Sequence, residues 1–526
     1  MTSRNDPALR SLVGSVLWPG FNGYVAPDWL KSALDDGLAG VVYFGQNINP
    51  DDAEQPARLS RELRGIRSGV LIGVDEEGGN VSRLEAARGS TVPGHAQLGR
   101  HGDVAVTREV GVELGRRLAA AGANVALAPV ADVNTNSLNP VIGVRAFGDT
   151  ADLVSPHVAA MVAGLQSVGV AACVKHFPGH GDTHTDSHHS LPRLDLSWEE
   201  IERDHLPPFH AAIAAGVLSV MTAHIVVPEF GDVPATLNPA LLARLRADGF
   251  TGTIVTDALD MAAIRSTVGA GPGAVQAILA GADLLCIGNP ANLGPKAGAT
   301  SDLDDYLEVQ NALFDALDDG SLPVAALERA SASVATLVTA TTPGADPVSA
   351  AAQPVAAARD FATLSRELCT VTGSIPALGE TLTVLDLRNK ATVAVASTVD
   401  VFSTALRERF DVTRISFGGL AARTTTDAPA LADQIAVQLD SVPADSGLIV
   451  LVDAIALAGL QREALAIVAA TRADALVVNA GLVATDPVPL ALIECTSASR
   501  LAATTVCELV VQAGQRDALT ETAVTA

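Results

Sequence analysis

Short runs of apolar, mostly β-branched residues recur along the first part of the chain, at 12–17, 40–44, 70–74, 125–130, 170–175, 218–222, 253–256 and 283–287. Most read as continuous apolar runs, so they predict strands buried on both faces, as in a parallel sheet. Between them, apolar positions fall at helical spacing. Val110, Leu114 and Leu118 repeat every four residues after Asp103, a candidate N-cap. Val154, Val158, Met161 and Leu165 make a second stripe, and 198–216 predicts a third helix, ended by Gly216. Eight strands alternating with helices predict an α/β fold: an N-terminal (β/α)8 TIM-like barrel over residues 1–340. The competing doubly wound open sheet lacks a G-x-G-x-x-G after its first strand.

A stretch of Pro, Ala and small polar residues at 341–354 predicts a linker. Beyond it, 355–526 alternates again. Strands are expected at 383–387, 393–396, 447–452, 475–479 and 490–495, with helices at 462–471 and 499–513. This pattern predicts a smaller α/β sandwich domain with a mostly parallel sheet.

Composition narrows the function classes. Of 526 residues, 48% are hydrophobic, which excludes a disordered chain. The charge balance is 34 − 59 = −25, with 3% aromatic residues. Both argue against nucleic acid or an anionic membrane as a partner. The five cysteines, Cys173, Cys286, Cys369, Cys495 and Cys507, form no CxxC pair. They read as buried small hydrophobes in a reducing compartment rather than a disulfide framework or a thiolate zinc site. The first residues have no uninterrupted apolar core of a secretory signal. The expectation is a soluble cytoplasmic protein.

In a barrel, working residues stand at the carboxyl ends of strands and in the loops that follow. Those positions hold Asp75-Glu76-Glu77-Gly78-Gly79, Asp132-Val133-Asn134, the loop with Arg145, Lys175-His176, Thr222-Ala223-His224 and Asp257. Polar groups gathered at one rim cost desolvation unless paired or used. The loop after the fifth strand holds five of the eleven histidines, His176, His180, His184, His188 and His189, interleaved with Asp182 and Asp186. Such a cluster raises a metal site, but a Gly-Pro-rich loop does not set ligands on one helix face, and no metal is expected. In Asp186-Ser187-His188 a carboxylate two residues from an imidazole can orient it and raise its basicity, as for a proton shuttle. Asp257 ends an apolar strand and is the better nucleophile candidate. Asp260, three residues on, reads as the start of the next helix. A carboxylate nucleophile with a separate acid/base is the equipment of a retaining glycosidase.

Taken together, KHFPGHGDTHTDSH, NPVIGVRAFG, DEEGG, VTDALDM and PATLNP resemble glycoside hydrolase family 3, over roughly residues 8 to 340. Within it they look like the bacterial β-N-acetylglucosaminidases of the two-domain type. The resemblance implies Asp257 as nucleophile and His188, supported by Asp186, as acid/base. It implies Asp75, Arg145, Lys175 and His176 as sugar contacts. Arg83 is a weaker match, because Asn80 replaces the commoner arginine of that stretch. It also implies a small carbohydrate containing N-acetylglucosamine as partner and no cofactor. The D-S-H motif favours this substrate over a glucoside. A histidine base does not repel phosphate, so phosphorolysis is the rival to hydrolysis. A sugar-binding protein on an inactive barrel is the rival from another class. The loop at 177–192 is expected to swing, with Gly179 and Gly181 giving hinge freedom.

Overall fold

The computed structural model describes residues 3–185, 191–290, 302–341, 360–389, 395, 399–417, 428–456 and 459–524. The first body holds β1 (Leu17–Pro19), β2 (Gly40–Tyr43), β3 (Leu71–Val74), β4 (Glu76–Gly78), β5 (Val81–Ser82), β6 (Val125–Ala126), β7 (Ala171–Phe177), β8 (Ser219–Thr222), β9 (Thr253–Val255) and β10 (Leu285–Gly288). Parallel ladders run β2-β3-β6-β7-β8-β9, and β1 pairs parallel with β10. A parallel bridge from Val255 to Leu284 carries the sheet from β9 to β10. The strands therefore follow in cyclic order around a curled sheet, and β1 adjoins β2 without a ladder. Among the described residues of this body, only β4 and β5 stand apart, as a short antiparallel hairpin at the end of β3.

Alternate strand residues enter two cores, as the period of two requires. Ile72, Val74, Ala172, Val174 and Ile254 pack outward against the helices. Leu71, Ala171, Cys173 and Val255 pack inward with Trp18 and with Val334 and Leu337 of the helix Val324–Thr341. A side chain at Gly73 would overlap the Trp18 ring, so glycine makes room for the indole there. The helical stripes behave as expected: Val110, Leu114, Leu118, Val154, Val158, Met161 and Leu165 are all buried. Asp103 caps its helix by accepting from Ala105 N at 2.8 Å.

Three expectations need correction. The run at 12–17 is not one strand: Asp6 caps a helix, Pro7–Gly14, with proline at its first turn, and β1 starts only at Leu17. The run at 125–130 pairs fully only at Val125–Ala126, because Pro129 has no N–H; Val130 adds an isolated bridge to Lys175. The stretch 198–216 is two helices, Trp198–Asp204 and Pro207–Ala214, broken where Pro207 starts the second.

The second sheet contains β11 (Thr370–Thr372), β12 (Thr381–Asp386), β13 (Asp411–Ser416), β14 (Gly447–Val452), β15 (Leu476–Asn479) and β16 (Ala491–Glu494). Its order is β13-β12-β14-β15-β16-β11, parallel except for β11. Cores lie on both faces of this sheet. The apolar strands β12, β14, β15 and β16 are those the hydrophobic runs predict. The edge strands β11 and β13 are largely exposed and carry no such run. Apart from Val395, the strand expected at 393–396 falls on residues outside the described set. Among the described residues, no helix is long and apolar enough to cross a membrane.

Candidate active site

The inward phase of three strands leads to the candidate residues. Asp75 follows Leu71 and Gly73, Lys175 follows Ala171 and Cys173, and Asp257 follows Val255, each two residues on. All three therefore stand over the barrel interior at its carboxyl rim. Lys175 Nζ lies 2.7 Å from Asp75 Oδ1 and 2.8 Å from Glu77 Oε1. Arg145 grips Glu77 with two donors, Nε at 3.0 Å and Nη2 at 2.7 Å. Arg83 Nη2 lies 3.3 Å from Asp75 Oδ2. One chain of alternating charge thus runs Arg83, Asp75, Lys175, Glu77, Arg145.

Mutual pairing keeps this chain ionised. Burial pushes the Asp75 and Glu77 carboxyls up, but Lys175 with Arg83, and Arg145 with Lys175, outweigh it and hold both below the usual carboxylate range. Burial likewise pulls Lys175 down, and Asp75 and Glu77 more than compensate. Glu77 is 1% exposed while Asp75 is 15% exposed, so the network opens towards solvent at its Asp75 end.

A second cluster sits beside it. The β7–β8 ladder shifts register between Val174 and Phe177, so adjacent Lys175 and His176 both find polar partners at the rim. His176 Nδ1 donates to Asp132 Oδ2 at 2.7 Å, and His176 N and His180 N donate to Asp132 Oδ1 at 3.2 and 2.7 Å. Burial raises the Asp132 carboxyl, yet these imidazoles hold it below its ordinary value. His180 is pushed down to about 4, by burial first and then by His176, and pairs with Thr183 Oγ1 at 2.8 Å. It is a neutral buried histidine that fixes the loop.

Asp257 is half-buried, its Oδ1 accepting from Ala258 N at 2.8 Å. Its charge acts on His180 and on Cys173 and Cys286 inside the barrel. The turn behind it is held by His224, which pairs with Ala258 O and Thr236 Oγ1, each at 2.9 Å. Asp260 does not start the next helix, contrary to its sequence reading. Met261 occupies that N-cap, and Asp260 is buried against Gly288, where a Cβ would collide with its carboxylate.

Asp186 and His188 lie outside the described residues. The loop leading to them is anchored. Asn139 Nδ2 donates to His180 O at 2.7 Å, Thr135 Oγ1 to Asp182 Oδ2 at 2.9 Å, and Asn136 Nδ2 to Thr183 O at 3.1 Å. The two glycines expected as hinges are closely packed. A Cβ at Gly181 would overlap the Val133 carbonyl, and Gly179, at φ 126°, lies against His205. Among the described residues, no group of three or more His, Cys, Asp or Glu is arranged to hold a metal ion.

The sequence pattern by itself gives Glu77 and Asp132 no role, although both carry the geometry. Each follows a strand end, which was the available signal. Only the fold shows that Glu77 bridges Lys175 to Arg145 and that Asp132 aims His176.

Fixed cations and carboxylates around one small rim suit a neutral ligand rich in hydroxyl groups, and Asp257 adds a carboxylate beside them. Residues 20–337 match the glycosyl hydrolase family 3 N-terminal domain. Beta-hexosaminidase A of Pseudoalteromonas piscicida is 31% identical over 327 residues, spanning 57% of this chain and 53% of that protein. A beta-hexosaminidase of Chromobacterium violaceum is 36% identical over 265 residues, spanning 48% of this chain and 72% of that protein. The solved structure of a glycoside hydrolase family 3 beta-N-acetylglucosaminidase from Paenibacillus sp. str. FPU-7 superposes with a TM-score of 0.76 at 29% identity, covering 96% of this chain and 97% of that one. The chain thus spans about half the length of the first relative and nearly all of the third. With the domain match covering more than half of its residues and the same barrel beneath the rim, the chain belongs to glycosyl hydrolase family 3.

Proposed function

We propose that the chain is an exo-acting, retaining β-N-acetylhexosaminidase. It removes terminal β-linked N-acetylglucosamine from small carbohydrates of muropeptide or chitin type. The observation that carries this reading is the Asp75–Lys175–Glu77–Arg145 network beside the half-buried Asp257 carboxylate at one barrel rim, in a family whose named relatives here are β-hexosaminidases.

Asp257 attacks the anomeric carbon. The new C1–Oδ bond forms as the C1–O bond to the leaving group breaks, and His188 gives its proton to the departing oxygen. Water then attacks the same carbon, losing a proton to His188 and releasing Asp257. Asp186 orients His188 and stabilises its imidazolium. Asp75, Lys175, Arg145 and His176 hold the sugar hydroxyls, with Arg83 behind Asp75. No cofactor takes part. The barrel domain is read as 1–340, the linker as 341–354 and the second domain as 355–526, with Leu364 and Leu368 of the helix Phe361–Leu368 entering the core of the first body. Five free, buried cysteines support a cytoplasmic setting.

The test is anomeric NMR of the products of a β-N-acetylglucosaminide, in phosphate and in a phosphate-free buffer of equal ionic strength. β-N-acetylglucosamine as first product in both buffers is expected. A sugar 1-phosphate would assign the chain as a phosphorylase, and an α first product would overturn retention. His188→Ala should hurt poor leaving groups most, and azide should restore part of the turnover of an activated aryl glycoside. Equal damage across leaving groups without azide rescue would remove His188 from the acid/base role.

A further inference from the structure

The short β4–β5 hairpin carries much of the site. Asp75 precedes it, Glu77 lies within it and Arg83 follows it. Its own ladder joins Glu76 to Ser82 and Gly78 to Val81, with a register shift between. A hairpin this short is not stable by itself and needs support from its surroundings.

That support comes in part from the second body. At the hairpin tip, Asn80 Oδ1 accepts from Ala498 N at 2.7 Å and from Ser497 Oγ at 3.2 Å. At its base, Arg83 Nη1 donates to Val395 O at 2.9 Å while Nη2 faces Asp75 Oδ2 at 3.3 Å. The tip is also wedged against Gly94, whose Cα would lie 2.6 Å from a Cβ placed on Gly79. Around this point the two bodies are pinned by Gln97 Nε2 to Cys495 O at 3.0 Å, Leu501 N to Ser90 O at 3.0 Å and Arg500 Nη2 to Glu85 Oε1 at 2.7 Å. The turn that presents Ser497 and Ala498 contains Thr496 at φ 46°, a backbone conformation uncommon for a β-branched residue, and Thr496 is buried. Such a conformation persists only where the surroundings over-determine it.

We propose that the second body positions the sugar site by clamping this hairpin, with Asn80 at its tip as the principal positioning residue. Arg83 acts in the same sense, holding Asp75 to the Val395 carbonyl. The inference rests on the sugar-site reading above but concerns a different contact. Asn80 faces the other body and touches none of the charged groups of the network through the bonds described. Its side chain matters because the donors it receives, a backbone N–H and a hydroxyl, come from chain more than four hundred residues away, at separations of 417 and 418. Losing that acceptor frees the loop that carries Glu77, three residues before it.

The test uses the full chain with Asn80→Ala and Asn80→Asp. Asp keeps an acceptor for both donors and serves as the conservative rescue. Hydrogen–deuterium exchange is followed over residues 76–84, together with Tm, kcat and KM on an aryl N-acetyl-β-glucosaminide. For Asn80→Ala, exchange over 76–84 and KM should each rise about tenfold, the effect of one lost buried hydrogen-bond acceptor, while kcat changes less than about threefold. Asn80→Asp should return both towards wild type. Unchanged exchange over 76–84 in Asn80→Ala, even with a lower Tm, would overturn the clamp, because Asn80 would then only join the two bodies. An Asp variant as impaired as Ala would overturn it too. If wild-type protein fails to cleave the glycoside, the sugar reading falls by itself, and the exchange data alone decide the clamp.

Discussion

In the barrel, buried charge at the strand ends forms a chain that starts at Arg83, ends at Arg145 and has Asp257 beside it. In the second sheet, charge also gathers at the carboxyl ends of β12 and β14, but it closes on itself. Asp386 takes Arg388 at 2.9 and 2.8 Å and Arg414 at 3.2 and 2.7 Å. Asp453 accepts from Asn389 N at 3.1 and 3.0 Å and from Gln461 Nε2 at 2.8 Å. The strand order reverses between β12 and β14, the place where an open α/β sheet usually binds its ligand. Here the paired side chains hold that place. Burial keeps the Asp453 carboxyl above its ordinary value, although Gln461 and the Asn389 amide oppose it. Asp386 is held low by Arg388 and Arg414, as Asp75 and Glu77 in the barrel are by their cations. Position at a strand end marks where chemistry can be built; the pairing decides whether a charged group remains ready for a ligand.

The contrast can be broken most sharply at the two strand-end aspartates. Asp257→Ala should lower kcat on an aryl N-acetyl-β-glucosaminide by ~10⁴-fold, about 5 kcal/mol of barrier, with Tm near wild type. Asp453→Asn should leave kcat/KM within about threefold, since its partners Asn389 and Gln461 both lie in the second body. Wild-type-like turnover by the Asp257 variant would remove the proposed nucleophile.

Glu77→Gln leaves Lys175 and Arg145 buried without their shared carboxylate. It should cost about 4 kcal/mol in urea unfolding and raise KM, because breaking one partner of a buried pair strands the others. Asp386→Asn should cost less, about 2 kcal/mol, because Arg414 is partly exposed and can turn to water, and it should leave KM unchanged. If Asp386→Asn moved KM as much as Glu77→Gln does, the distinction between an open and a closed network would fail.

The smallest effect is a pH dependence beneath the hairpin. Glu76 is buried, and burial raises its carboxyl to about 7 despite bonds from Ser82 and from the Leu84 and Arg83 amides. The folded state therefore keeps a proton that the unfolded chain releases near 4.5, and the stability this proton gives is lost as pH rises towards 7. Glu76→Gln, which cannot ionise, should gain about 2 kcal/mol relative to wild type between pH 5 and pH 8. Parallel stability curves for the two proteins would show that Glu76 does not titrate in this range.

Much of the fold was legible because its strands are buried on both faces. Runs such as 40–44, 70–74 and 447–452 are apolar without alternation, and they became β2, β3 and β14. Edge strands β11 and β13 were invisible for the converse reason: they are mostly exposed and need no apolar run. The places of Asp75, Arg145, Lys175, His176 and Asp257 could be named from strand ends. His188 and Asp186 remain a reading of the D-S-H motif.

By itself, then, the sequence determined most of the buried strands and helices, and which ionisable residues follow strand ends, because burial pattern and chain position are local properties. Tertiary structure alone decided that Glu77 bridges Lys175 and Arg145, that Asp132 holds His176, that Gly181 packs against the Val133 carbonyl, and that Asn80 meets Ser497 and Ala498. Each of these depends on a distance between residues far apart along the chain. Such a distance is set by how strands and bodies pack, and no local pattern of hydrophobic and polar residues encodes it.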